Sequence, residues 1–164
     1  MDKDALQHLV DKDQVSDTVK EYFWALDTFD WDSVAELVAD EFMLDSDAPG
    51  AAPHAVPRDE FMRTLKARNG GFTHTIHINP DHLVTIDGDV ATVRAHMWAA
   101  HSVGEEPGDT FWGYGMYEIE LVRTPDGWRL TRQKITAVGT GGDGTPPDVF
   151  ARSAQRQAAG LGHP

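Results

Sequence analysis

The sequence predicts an α+β fold, with helices laid on one face of a curved antiparallel sheet that can enclose a conical cavity. Two observations predict it. Helical periodicity of apolar residues is confined to the first seventy or so positions, and strand-like alternation joined by hairpin turns takes over afterwards. A third observation bounds the architecture: 164 residues with no internal repeat fit one domain with a core of useful size.

The elements follow in order. Residues 13–29 read as a helix, with Val15, Val19, Tyr22, Phe23 and Leu26 at helical spacing and Asp11 or Asp13 placed to cap its start. A short helix over 31–39 carries Trp31, Val34, Leu37 and Val38, with Asp30 as cap. Residues 41–45 alternate like a strand. The stretch 47–57, rich in Pro, Gly and Ala, reads as a loop, and a third helix over 58–68 ends at Gly70-Gly71. Residues 73–86 are rich in strand formers but broken by Pro80, a candidate bulge or edge position. Strands over 90–102, 110–123 and 128–138 follow, the last two joined by the turn TPDG. The expected organisation is one domain over 1–140 and a Gly/Pro-rich tail over 141–164, with a short helix at 148–159 that can lie over the cavity.

Composition excludes several functions. With 14 Lys+Arg against 27 Asp+Glu the chain carries −13, a surface that repels phosphate backbones and anionic lipid, so neither nucleic acid nor membrane is an expected partner. The absence of cysteine removes disulfides, thiolate catalysis and thiolate metal sites, and fits a cytoplasmic location. No apolar run approaches the ~20 residues a membrane helix requires.

Three stretches occur together in a recognisable order: YFWALDTFDWDSVAELVADEF, IDGDVATVRAHMWAAH and GMYEIELVRTPDGWRL. Together they resemble SnoaL-like proteins of the nuclear-transport-factor-2-like superfamily, in the branch near scytalone dehydratase, polyketide cyclases and steroid isomerases. The resemblance runs from about residue 13 to 138. It implies a cone-shaped α+β barrel with a curved mixed or antiparallel sheet, a homodimer formed through the outer sheet face, and a pocket for a small hydrophobic molecule.

It also points to particular residues. Asp27 matches the aspartate that ends the family's first helix and orients histidines; a carboxylate bonded to an imidazole fixes its tautomer and strengthens it as a base. His101 lies ten residues after Ala91, at the spacing of the family's second histidine. It shares a strand face with Ala91, Val93, Ala95, Met97 and Ala99, whose mostly small side chains leave room for a ligand. His77 lies eleven residues before Gly88, where the family has its first histidine. Within HTIHINPDH, His74 and His77 are three apart and so face opposite sides of a regular strand, while His82 follows the Pro80 break. One feature opposes His77: Ile76 and Ile78 share the other face, and simple core packing would turn them inward. Tyr117 matches the tyrosine of the last motif, a donor for a developing oxyanion. Ile119 stands where the family often has a carboxylate, which makes that wall apolar. Leu26 replaces the tyrosine that precedes the aspartate in scytalone dehydratase, which argues against that specific reaction. Trp98 and His96 are expected on the outer face and Trp128 in the core.

The residues expected to carry chemistry are therefore Asp27, His77, His101 and Tyr117, with Tyr22, Phe23, Met97, Ile119 and Trp112 lining the substrate site. The expected reaction is a cofactor-independent lyase or isomerase step, of dehydratase, isomerase or cyclase type, driven by His/Asp acid–base catalysis on a hydrophobic, cyclic or polyketide-like substrate. No metal is expected, although Asp27, His77 and His101 form a conceivable two-histidine, one-carboxylate set. The alternative is a non-catalytic small-molecule-binding or protein-interaction module of the same fold.

Overall fold

The computed structural model describes residues 2–45 and 52–164, so part of the predicted 47–57 loop lies outside the described residues. Helix α1 spans Lys3–Asp27 and starts ten residues earlier than its apolar periodicity suggests, with Asp2 as its cap. Asp11 and Asp13 are therefore interior helical residues, and the first turns expose Leu6, Leu9 and Val10. Asp11 instead takes a two-pronged ion pair from Arg123, with contacts of 3.1 and 2.8 Å. The second half of α1 buries Val15, Val19, Tyr22 and Phe23, spaced so that one stripe faces the sheet. Helix α2 (Trp31–Leu37) is capped by Asp30, whose carboxylate accepts from the Ser33 N–H at 3.1 Å. Helix α3 (Arg58–Asn69) ends at Gly70.

The strands are β1 (Val38–Leu44), β2 (His54–Pro57), β3 (His74–Ile78), β4 (Leu83–Asp87), β5 (Val90–Ser102), β6 (Thr110–Thr124) and β7 (Gly127–Gly142). They form a curled mixed sheet in the order β2-β1-β7-β6-β5-β3; β1 runs parallel to β7 and the remaining pairs are antiparallel. The sheet curls without closing, so the barrel is an open cone. β2 corrects the reading of 54–57 as loop: its composition suits an edge strand, and it pairs with β1 alone. β3 and β4 lie end to end along β5, pairing with its last and first five residues respectively. The break between them is Asn79-Pro80-Asp81-His82. It is pinned by His82, whose ring contacts Asn79 Oδ1 and Ser16 Oγ, each at 2.9 Å.

The main core joins α1 to the inner sheet face through Val15, Val19, Phe23, Val93, Ile119, Leu121 and Leu130. A second cluster of Phe72, Val103, Phe111 and Val149, flanked by Phe29 and Phe150, fills the other end. Val149 and Phe150 come from helix α4 (Pro146–Ala158), which starts two residues earlier than expected, with proline at its first positions where the missing N–H costs no helical bond. α4 is held by Arg156 Nε–H donating to the Gly71 carbonyl at 2.9 Å and by the Arg152–Asp109 ion pair.

Candidate active site

β3 decides the geometry. It turns Thr75 and His77 inward and leaves Ile76 and Ile78 about half exposed on the outer face. The core-packing argument that opposed His77 does not hold, because β3 packs its inner side against α1, and the last α1 residue presents a carboxylate there. Asp27 receives three donors from this strand: the Thr75 hydroxyl at 2.8 Å, the His77 backbone N–H at 2.8 Å and His77 Nδ1 at 2.6 Å. His74 lies on the exposed face, as strand parity requires.

Burial pulls the Asp27 carboxyl upward, but the hydrogen bonds and charge of His77, with the Thr75 hydroxyl, outweigh it and hold Asp27 below the usual carboxylate range. Asp27 is thus ionised near neutrality and can only accept, so Nδ1 of His77 carries the proton. In the neutral ring the lone pair then sits on Nε2, pointing away from the aspartate. The His77 and Asp27 side chains keep 13% and 19% exposure, so the pair stays in reach of solvent.

His101 stands beside this pair, its ring 5.2 Å from that of His77 in an edge-on arrangement. β5 supplies it at the end of the face holding Ala91, Val93, Ala95 and Ala99, all buried, with Met97 half-buried. Phe111 stacks on it at 4.9 Å, and Phe72 and Phe150 lie at 5.0 and 5.3 Å. Burial, the neighbouring His77 and the Arg68 charge push its pKa down to about 3, against the opposing pull of Asp27. His101 is therefore a neutral ring, and its Nδ1 is buried without a hydrogen-bond partner.

Phe23 stacks on His77 at 5.3 Å and lies 4.9 Å from Tyr117. Burial, with Tyr22 and Asp27 nearby, raises the Tyr117 hydroxyl pKa, so it stays protonated and able to donate. Tyr22 is also raised by burial, and its hydroxyl donates to Gln133 Oε1 at 3.2 Å, which commits it to β7. Ile119 is fully buried in the same core. Trp112 is not brought to this cluster. It lies five residues from Tyr117, on the opposite strand face, stacked with Tyr114.

The geometry adds residues that sequence reasoning passed over. Thr75 shares the His77 face and could have been found by parity. Phe72 and Phe150 carry no local signal: Phe72 reaches His101 through the pairing of Thr73 with Ser102 at the start of β3, and Phe150 through the packing of α4. Among the described residues, no group of three potential metal ligands converges; Asp27 spends its oxygens on Thr75 and His77.

Two grooves lie elsewhere. One of about 500 Å³ runs between α1 and α2 past Trp24, and one of about 270 Å³ lies outside the sheet near Asp81 and His96; neither includes Asp27, His77 or His101. The outer groove holds a second aspartate–histidine pair, in which Asp81 accepts from both the backbone N–H and the ring of His96. His96 is 77% and Asp81 48% exposed there, and solvent screens the interaction. Burial and an aromatic wall distinguish the Asp27 pair, and they outweigh groove size in locating chemistry.

Comparison with known proteins gives a consistent picture. The profile of the SnoaL-like domain matches residues 7–134. The Kfla4162 protein of Kribbella flavida is 30% identical, with 90% of this chain and 99% of that chain covered and a TM-score of 0.75. Two more distant structures share the fold. A protein of Novosphingobium aromaticivorans provisionally named scytalone dehydratase is 22% identical (82% and 89% covered, TM-score 0.70). A type 2 hexachlorocyclohexane dehydrochlorinase, LinA, is 12% identical (84% and 92% covered, TM-score 0.70). No curated protein matches the sequence. The profile match and the shared cone fold place the chain in the SnoaL-like domain family.

Proposed function

We propose that the protein is a cofactor-independent lyase or isomerase in which His77 removes a proton from a hydrophobic, cyclic or polyketide-like substrate. The observation that carries this reading is the three-donor clamp on Asp27, which fixes the His77 tautomer and leaves Nε2 as the base. His101, with its pKa pushed to about 3, holds a proton too weakly to compete as the base at neutral pH. Its role is that of a neutral hydrogen-bonding partner. Tyr117, kept protonated, stabilises the developing oxyanion. Phe23, Met97 and Ile119 supply apolar wall. The names of two fold neighbours, one a dehydratase and one a dehydrochlorinase, support elimination chemistry as the reaction class.

The test is untargeted. Wild-type protein and the Asp27→Asn variant are incubated with a library of cyclic ketones and polyketide-like compounds, and products are read by mass spectrometry. Water loss or an isomer formed by wild type and not by Asp27→Asn supports the reading; equal conversion by both removes it. A second reading, a binding module, is favoured by the close aromatic packing around His101. It predicts a ligand that co-purifies and is released unchanged.

We also propose that the protein works as a homodimer. Ile76, Ile78, Trp98, Trp112, Tyr114 and Met116 are each more than a third exposed on the outer sheet face, an apolar patch that a second copy would cover.

A further inference from the structure

Arg68 is a cation packed against the aromatic wall of the site. It sits in the last turn of α3 with its guanidinium carbon 4.1 Å above the centre of the Phe150 ring. Phe150 in turn packs on His101. Among the described residues Arg68 has no carboxylate within ion-pair distance, in a chain with 27 acidic residues and 14 basic ones. Arg132, Arg123 and Arg152 are all claimed by aspartates. Stacking occupies the flat face of the guanidinium and leaves its edge N–H donors open, the edge that takes a carboxylate in two parallel bonds.

The bland explanations are a charge that complements the helix end and a staple between α3 and α4. Lys66 already supplies a cation in that turn, and a staple alone does not require donors left free. A second observation points the same way. His101 is 7% exposed, and its Nδ1 has no partner, a desolvated acceptor or donor left unsatisfied. Arg68 and the His101 ring both pack on Phe150, the first exposed and the second buried.

We infer that Arg68 is the anion-binding residue of the site, and that the substrate is an aromatic or polycyclic molecule bearing a carboxylate. The carboxylate would meet the Arg68 edge at the rim. The ring body would lie against Phe150 and Phe111, with one polar group completing His101. This deepens the catalytic reading and rests on it for the location of the site. Nothing in the recognition step itself needs turnover.

The experiment compares 1-naphthoate with the neutral 1-naphthamide, which has the same shape, by isothermal titration at neutral pH and low salt. Wild-type protein is expected to bind naphthoate at least ~10-fold more tightly, with movement of the His101 ring signals in NMR. Arg68→Gln should abolish the preference, Arg68→Lys should keep most of it, and Phe150→Leu should weaken both probes alike. The preference should persist in Asp27→Asn, because Arg68 is untouched. Equal binding of the two probes, a preference that survives Arg68→Gln or is lost in Asp27→Asn, still His101 signals, or no naphthoate binding at millimolar concentration would each overturn the proposal. Turnover is not read, so failure here leaves the acid–base reading standing, and failure of that reading leaves this binding result intact.

Discussion

In the proposed mechanism two neighbouring histidines take different tasks: Asp27 fixes the His77 tautomer, and burial keeps His101 neutral. Replacing Asp27 by Asn keeps the shape but removes the charge and puts an amide N–H₂ where one acceptor stood. The expected result is a loss of turnover by about 10²–10⁴-fold with an unchanged circular dichroism spectrum, and His77→Ala should behave alike. Full activity in both variants would remove the mechanism. His101 leads to a stability prediction. Its folded pKa, pushed to about 3, lies below the ordinary 6.5, so between these values the unfolded chain binds the extra proton. The stability tied to keeping the ring neutral is fully present above pH 6.5 and is lost as the pH falls towards 3. From pH 7 to 5 this one group would cost about 2 kcal/mol. His101→Phe should remove that share, and denaturant titrations of both proteins at the two pH values measure it. An equal loss in both proteins would show that His101 is not the source.

At the scale of elements, legibility followed the strength of local pattern. β5 was readable to the residue, because its alternation runs for thirteen positions, and the inward direction of His101 came with it. β3 was not. Ile76 and Ile78 look like core residues and face outward, and the carboxylate that draws His77 inward comes from a helix end fifty positions away. Trp112 misled for a simpler reason: its parity relative to Tyr117 already placed it outside. The first turns of α1 carry Leu6, Leu9 and Val10 at helical spacing but leave them exposed, and β2 is visible only through its pairing with β1. α4 was legible as a helix, whereas the contacts of Phe150 depend on how closely α4 approaches α3. Gly71 sets that approach. A Cβ there would lie 1.8 Å from the Ser153 carbonyl oxygen, a backbone clash that no rotamer relieves. Gly71→Ala should therefore push α4 away, cost about 2 kcal/mol, and speed amide exchange across 146–158 while β5 and β6 stay protected. Unchanged exchange in α4 would contradict this packing.

For the whole molecule, the open cone holds an aromatic cluster inside and carries an apolar patch on its outer sheet face. Among the described residues no helix is long and apolar enough to cross a membrane. The proposed homodimer would cover the outer patch. Trp112→Glu should raise the dimer dissociation constant at least ~10-fold, as read by analytical ultracentrifugation, and a wild-type monomer at all concentrations would refute the dimer. The catalytic reading depends on Asp27 holding the His77 ring with its proton on Nδ1. Nitrogen-15 NMR of the imidazole measures that directly. The predicted result is a protonated Nδ1 with a downfield N–H signal and a bare Nε2, the signal vanishing in Asp27→Asn. A proton on Nε2, or a spectrum indifferent to Asp27→Asn, would contradict the account.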